Sequence, residues 1–124
     1  MRNLEIAKEA YDAFSRGDMA KFTSLCDEDI EWIYYGSVPW AGSFRGHGDV
    51  MRFFGILANA IEIQAFVTDE FVAGEDEVAI RGHTSARIIR SSGGLYENQW
   101  AHFMKLRDGK LARFIGYDTT PSAG

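Results

Sequence analysis

Residues 98–120, NQWAHFMKLRDGKLARFIGYDTT, decide the fold. Two apolar-rich runs flank Arg107-Asp108-Gly109, and a glycine there takes a left-handed conformation without steric cost, so the stretch reads as two strands joined by a tight turn. With a three-residue turn, Leu106 pairs with Lys110, His102 with Phe114, Trp100 with Gly116 and Asn98 with Asp118. Upstream, Ser91-Ser92-Gly93-Gly94 closes a second hairpin. Setting Arg90 opposite Leu95 brings His83 to His102, Ser85 to Trp100 and Arg87 to Asn98. One face then carries three rows: His83–His102–Phe114, Ser85–Trp100–Gly116 and Arg87–Asn98–Asp118. In the middle row the indole stands between two small residues, which leaves room for a ligand or a packed helix. Ile80, Thr84, Ala86, Ala101, Phe103 and Ile115 fall on the other face. A sheet apolar on both sides implies a homodimer through its outer face.

The rest of the chain supplies the other layer. MRNLEIAKEAYDAF spaces Leu4, Ala7, Tyr11 and Phe14 helically, with no continuous apolar run. It is neither a signal peptide nor a membrane span, so the expected location is cytoplasmic. Gly17 can end this helix and Asp18 can cap a second, MAKFTSLC. DIEWIYYG alternates as a strand, GSVPWAGSFRGHGD is a loop, and Asp49 or Gly48 opens a helix through VMRFFGILANAI. From Glu62 onward strands alternate with the turns GEDE, SSGG and RDG. Helices first and an antiparallel meander last make an α+β fold, with the helices gathered on one face of a curved sheet. At 124 residues the chain is expected to be one domain, 1–124.

Composition narrows the function. Hydrophobic residues at 46% and charged residues at 25% describe a globular chain. A net charge of −5, with Lys and Arg scattered among acids, argues against nucleic-acid binding. Cys26 cannot form an internal disulfide and reads as a small buried thiol. Three dispersed histidines and one cysteine lack metal-ligand spacing, and no glycine-rich phosphate loop follows a strand; neither metal nor cofactor is expected.

The same rows suggest a site. Proton transfer beside a carbonyl needs a base near its working pKa and a donor for the developing oxyanion. His102 with His83, plus Asp118 and Tyr34, can supply both. Trp32, Trp40, Trp100 and Phe53 or Phe54 can wall a hydrophobic ring-bearing ligand, with Tyr11, Arg87 and Asn98 as further contacts. Plainer readings stand beside this one. The histidines can satisfy each other, the tryptophans can be core or dimer contacts, and Asp118 can pair with Arg87 at the rim, about 13 Å along the strand from the His102 row.

The helix end AFSRGDMAKFTSLCDEDIEW, the loop VPWAGSFRGHGDVMRFF and the closing WAHFMKLRDGKLARFIGYDT together resemble the nuclear transport factor 2-like superfamily, and within it the SnoaL-like and ketosteroid-isomerase-like proteins. The resemblance covers nearly the whole chain. It implies a cone-shaped barrel, cystatin-like, in which a curved antiparallel sheet wraps the N-terminal helices around a deep apolar pocket, usually as a dimer. In ketosteroid isomerases a first-strand aspartate is the base, and Tyr34 holds that place here. The oxyanion-hole acid falls at His102 with a turn one residue shorter, or at Ala101 otherwise, and the helix-one tyrosine falls at Ala10, with Tyr11 one step off. SnoaL-like cyclases carry a histidine on the penultimate strand, matching His102, and an acid/base aspartate on the last, matching Asp118. The Trp-Ala-His segment lacks the aspartate–arginine–aspartate set of limonene-type epoxide hydrolases. The resemblance therefore implies a cofactor-independent isomerase, cyclase or hydratase of a small hydrophobic carbonyl or polyketide-like compound. The alternative is a non-catalytic dimeric module that binds an apolar small molecule.

Overall fold

A computed structural model describes residues 2–90 and 94–119. Helix α1 (Arg2–Ser15) buries Ile6, Ala7, Ala10, Tyr11 and Ala13 along one stripe. It ends in a Schellman turn: Gly17 lies at φ 70°, Asp18 N donates to Ala13 O at 2.8 Å, and Gly17 N to Phe14 O at 3.0 Å. Asp18 then caps α2 (Met19–Ser24) by accepting from Lys21 N at 3.1 Å. Helix α3 (Gly46–Ala60) begins without a capping side chain at Arg45; instead the Asp49 carboxylate, inside the first turn, accepts from Arg45 N at 3.1 Å.

The strands are β1 (Cys26–Tyr34), β2 (Gly42–Arg45), β3 (Ile61–Ala73), β4 (Glu77–Ile88), β5 (Leu95–Arg107) and β6 (Lys110–Asp118). They form one sheet in the order β2-β1-β6-β5-β4-β3, and the helices cover its concave face. Strand β2 lies inside the stretch expected to be loop; it is four residues long, and only Phe44 points inward, so its alternation is too brief to register. One pair, β1 with β6, is parallel, and every other pair is antiparallel.

The β4–β5 hairpin differs from expectation by three residues. Arg87, not Arg90, stands opposite Leu95, so Gly82 meets Trp100 and Ile80 meets His102. An odd shift turns a strand over. Val78, Ile80, Gly82, Thr84 and Ala86 therefore face inward, while Arg81, His83, Ser85 and Arg87 face out. The physical reason is desolvation: the expected register would have buried two guanidiniums and an imidazole on the concave face. Outside, Arg81 bonds Glu70 at 2.8 Å, Arg87 bonds Glu62 at 2.9 Å, and His83 Nδ1 lies 2.8 Å from Asp69 Oδ2. The convex face is thus laced with charge rather than uniformly apolar. Of the SSGG turn, residues 91–93 lie outside the described residues.

The β5–β6 turn is also tighter than expected. Arg107 pairs with Lys110, and Asp108 and Gly109 both take positive φ, 52° and 78°, as a two-residue hairpin turn requires. A register irregularity follows between Lys105 and Leu106. The net shift is two residues, which keeps the face and moves the rows: His102 stands opposite Gly116 and Trp100 opposite Asp118.

Candidate functional site

Four rows cross the concave face. Trp32, Phe114, Met104 and Val78 form the first, Tyr34, Gly116, His102 and Ile80 the second, Asp118, Trp100 and Gly82 the third, and Asn98 and Thr84 the fourth. Two glycines make room for the large groups between them. A Cβ at Gly82 would collide with the Trp100 indole and the Val67 carbonyl, and one at Gly116 would lie 2.7 Å from the Tyr34 ring.

The rings on this face stack in sequence. Trp100 lies nearly parallel to His102 at 4.0 Å and to Phe66 at 4.9 Å, and Tyr11 from α1 sets its ring within 25° of parallel to each of the three, with centroids 5.9–6.1 Å away. Tyr11 brings its hydroxyl to 2.7 Å from His102 Nδ1. Across the cleft, Trp32 stacks on Phe114 at 3.9 Å, with Phe22, Phe53 and Phe54 edge-on or tilted against it. Trp100 Nε1 donates to Thr84 Oγ1 at 2.9 Å, which satisfies the indole and fixes its ring.

Burial sets the electrostatics of His102. Taking the imidazolium out of water draws its pKa down to about 3, so His102 is neutral at physiological pH instead of titrating near neutrality as its type suggests. Burial likewise raises the Tyr11 pKa, so the phenol keeps its proton. Between two neutral groups the phenol is the more acidic donor and the imine nitrogen the better acceptor. On that ground we assign the Tyr11 proton to Nδ1, which leaves the imidazole proton on Nε2, where His102 makes no other hydrogen bond among the described residues.

A second polar cluster lies one row away. Tyr34 donates to Asp118 Oδ2 at 2.8 Å, Tyr96 donates to the same oxygen at 3.1 Å, and Asn98 Nδ2 donates to the Tyr96 oxygen at 2.7 Å. Burial, and then the neighbouring Asp118 charge, raise the Tyr34 pKa, so Tyr34 also keeps its proton. The corrected register puts Asp118 two residues from the His102 row, about 7 Å, rather than four.

Tyr11, Trp32, Tyr34, Trp40, Phe54, Asn98, Trp100 and His102 line one cleft, together with Phe14, Phe22, Phe53, Phe66, Tyr96 and Phe114 among others. Its free volume is about 70 Å³, room for a few waters or a compact fragment and short of the space a polyketide-size ligand fills. Asp118 touches this cleft through Tyr34 and Tyr96, and itself borders a shallow outer hollow with Arg81, Gln99 and Thr119. His83 and Arg87 stand outside it: the inverted β4 removes His83 from His102, and Arg87 instead edges a surface groove beside Glu62. Tyr96 and Thr84 are the polar lining residues that the sequence reading missed. Tyr96 shares parity with Asn98, Trp100 and His102, the signal that could have found it, and Thr84 required the correct β4 register. Among the described residues no three His, Cys, Asp or Glu gather as metal ligands would, and no helix is long and apolar enough to cross a membrane.

The sequence pattern of the SnoaL-like domain family matches residues 7–114. An uncharacterized protein of Mycobacterium tuberculosis is 26% identical over 121 residues, spanning 98% of this chain and 92% of the relative. The crystal structure of a nuclear transport factor 2-like protein from Burkholderia xenovorans superposes with a TM-score of 0.83 at 28% identity, covering 98% of this chain and 91% of that one. A Mesorhizobium loti structure, named as a candidate SnoaL-like polyketide cyclase, gives a TM-score of 0.78 at 18% identity over 94% of this chain and 99% of its own; at that identity the likeness is one of fold.

Proposed function

The chain belongs to the SnoaL-like domain family of the nuclear transport factor 2-like superfamily, and on that premise we propose a cofactor-independent acid/base enzyme acting on a small apolar carbonyl compound, in a reaction of the isomerase, cyclase or hydratase type. The observation that carries this reading is the Asp118 carboxylate gripped by two cleft-lining tyrosines, one row from a neutral histidine.

The chemistry needs a proton taken from carbon and a charge stabilised on oxygen. In the proposed relay, the Tyr34 oxygen accepts the proton alpha to the carbonyl while the Tyr34 proton passes to Asp118. The electron pair left on carbon moves to the carbonyl oxygen, where His102 Nε2–H donates to the developing enolate. Returning the proton by the same path to another carbon completes an isomerisation. A neutral donor suits this role, because it needs no buried cation. Trp32, Trp40, Trp100 and Phe54 supply the apolar walls. The free volume restricts the closed cleft to compact ligands, and the half-buried Phe54, Leu57 and Phe66 would have to turn outward to admit larger ones. A homodimer through the convex face is part of this reading, supported by exposed Val67, Phe103 and Tyr117.

The narrow cleft also favours a second reading, a non-catalytic dimeric module that binds an apolar molecule. Exchange of the alpha protons of acetone and acetophenone in D2O, followed by NMR, separates the two. Wild type should accelerate exchange at least about a hundredfold over buffer, and Asp118→Asn and His102→Gln should each remove most of that. Equal rates for wild type, both variants and buffer would leave the binding module standing.

A further inference from the structure

Asn98 holds a buried acceptor that nothing in the fold uses. Its residue is 8% exposed, and its Oδ1 is sealed with no partner among the described residues. The amide cannot simply be turned round, because the neighbouring bonds have a fixed direction. A carboxylate only accepts, so the Tyr34 and Tyr96 hydroxyls both donate to Asp118. Tyr96 has one proton, and with it committed to Asp118 the Tyr96 oxygen must receive from Asn98 Nδ2, 2.7 Å away. Turning the amide over would set its carbonyl oxygen against the Tyr96 lone pairs. Oδ1 is therefore held pointing away from Tyr96. The nearby indole N–H cannot serve it, since Trp100 Nε1 donates to Thr84.

A buried carbonyl without a donor is costly and rare, and a pocket is where such a group finds a use. Asn98 lines the cleft, on the strand between Tyr96 and Trp100. We propose that Asn98 Oδ1 is the specificity-determining acceptor of the cleft, selecting an apolar ligand that brings an O–H or N–H donor over the analogue with a methyl or ether group in that place. A ligand O–H there heads a chain in which every bond points the same way, through the amide and Tyr96 to Asp118. Such chains strengthen each member by polarisation. An anionic ligand group is rejected at the same spot, because it would face the amide carbonyl. The inference rests on the reading of this cleft as a ligand site, and not on catalysis.

Phenol and toluene, near-isosteric, are the probes, titrated by NMR against wild type, Asn98→Leu and Tyr96→Phe. An apolar cleft without an acceptor prefers toluene, because the phenol hydroxyl must leave water. Wild type should instead bind phenol about tenfold more tightly than toluene. Asn98→Leu should invert the order, and Tyr96→Phe, which frees the amide to turn, should reduce the preference. Toluene binding to wild type as tightly as phenol, or an unchanged preference in both variants, overturns the assignment of Asn98 and leaves the ligand site intact. If neither probe binds wild type, the ligand site itself falls, and the inference with it.

Discussion

His102 shows how far a residue's setting can move its chemistry. As a type it titrates near 6.5, and here burial holds it to about 3. Between those values the unfolded chain carries a proton on His102 that the folded chain does not. The folded pKa is the lower of the two, so stability is complete above about pH 6.5 and is lost as the pH falls, by up to about 1.4 kcal/mol per unit. Urea denaturation at pH 6.5 and pH 4.5 should therefore show wild type losing about 2–3 kcal/mol more than His102→Gln. Identical pH slopes for the two proteins would mean that His102 titrates normally. The presence of an imidazole near an acid on one face could be read from the 98–120 stretch alone. Its neutrality could not, because desolvation also depends on Tyr11 of α1 and Tyr34 of β1, which lie outside that stretch.

At the scale of elements, β4 carries the largest correction and also a missed cue. EVAIRGHTSAR alternates Val78, Ile80, Gly82, Thr84 and Ala86 against Arg81, His83, Ser85 and Arg87, and that pattern by itself assigns the inner face. A register set by the SSGG turn alone contradicts that alternation. Gly82 supplies the steric side of the same lesson, since its missing side chain is the space in which Trp100 lies. Gly82→Ala should destabilise the protein by about 1–3 kcal/mol in urea and shift the tryptophan emission. Gly48→Ala, in α3 with nothing within 4 Å of the added carbon, should be neutral or stabilising by up to about 1 kcal/mol. Equal effects at the two positions would show that the Trp100–Gly82 contact is not tight. The Asp108–Gly109 turn was legible in kind, but its length was not, because Arg-Asp-Gly serves two- and three-residue turns alike and the irregularity at Lys105 and Leu106 lies outside it.

For the whole molecule, the convex face separates composition from arrangement. Phe103 and Tyr117 are exposed beside the ion pairs of Arg81, Arg87 and Arg113. If this face joins two copies, sedimentation at micromolar concentration should give a dimer, and Phe103→Arg with Tyr117→Arg should give a folded monomer. A wild-type monomer would dismiss the interface. Local periodicity and turn chemistry were enough to set the three helices ahead of the closing β3–β6 meander, the capping at Gly17 and Asp18, the hairpin at Gly109 and the inward parity of Trp100 and His102. The meeting of Asp118 with Tyr34 and Tyr96, and the unused acceptor of Asn98, come instead from the assembled sheet. Those outcomes depend on which strand lies beside which, and in what register. That choice is made by the desolvation of charge and the fit of rings against glycine, which no single segment contains.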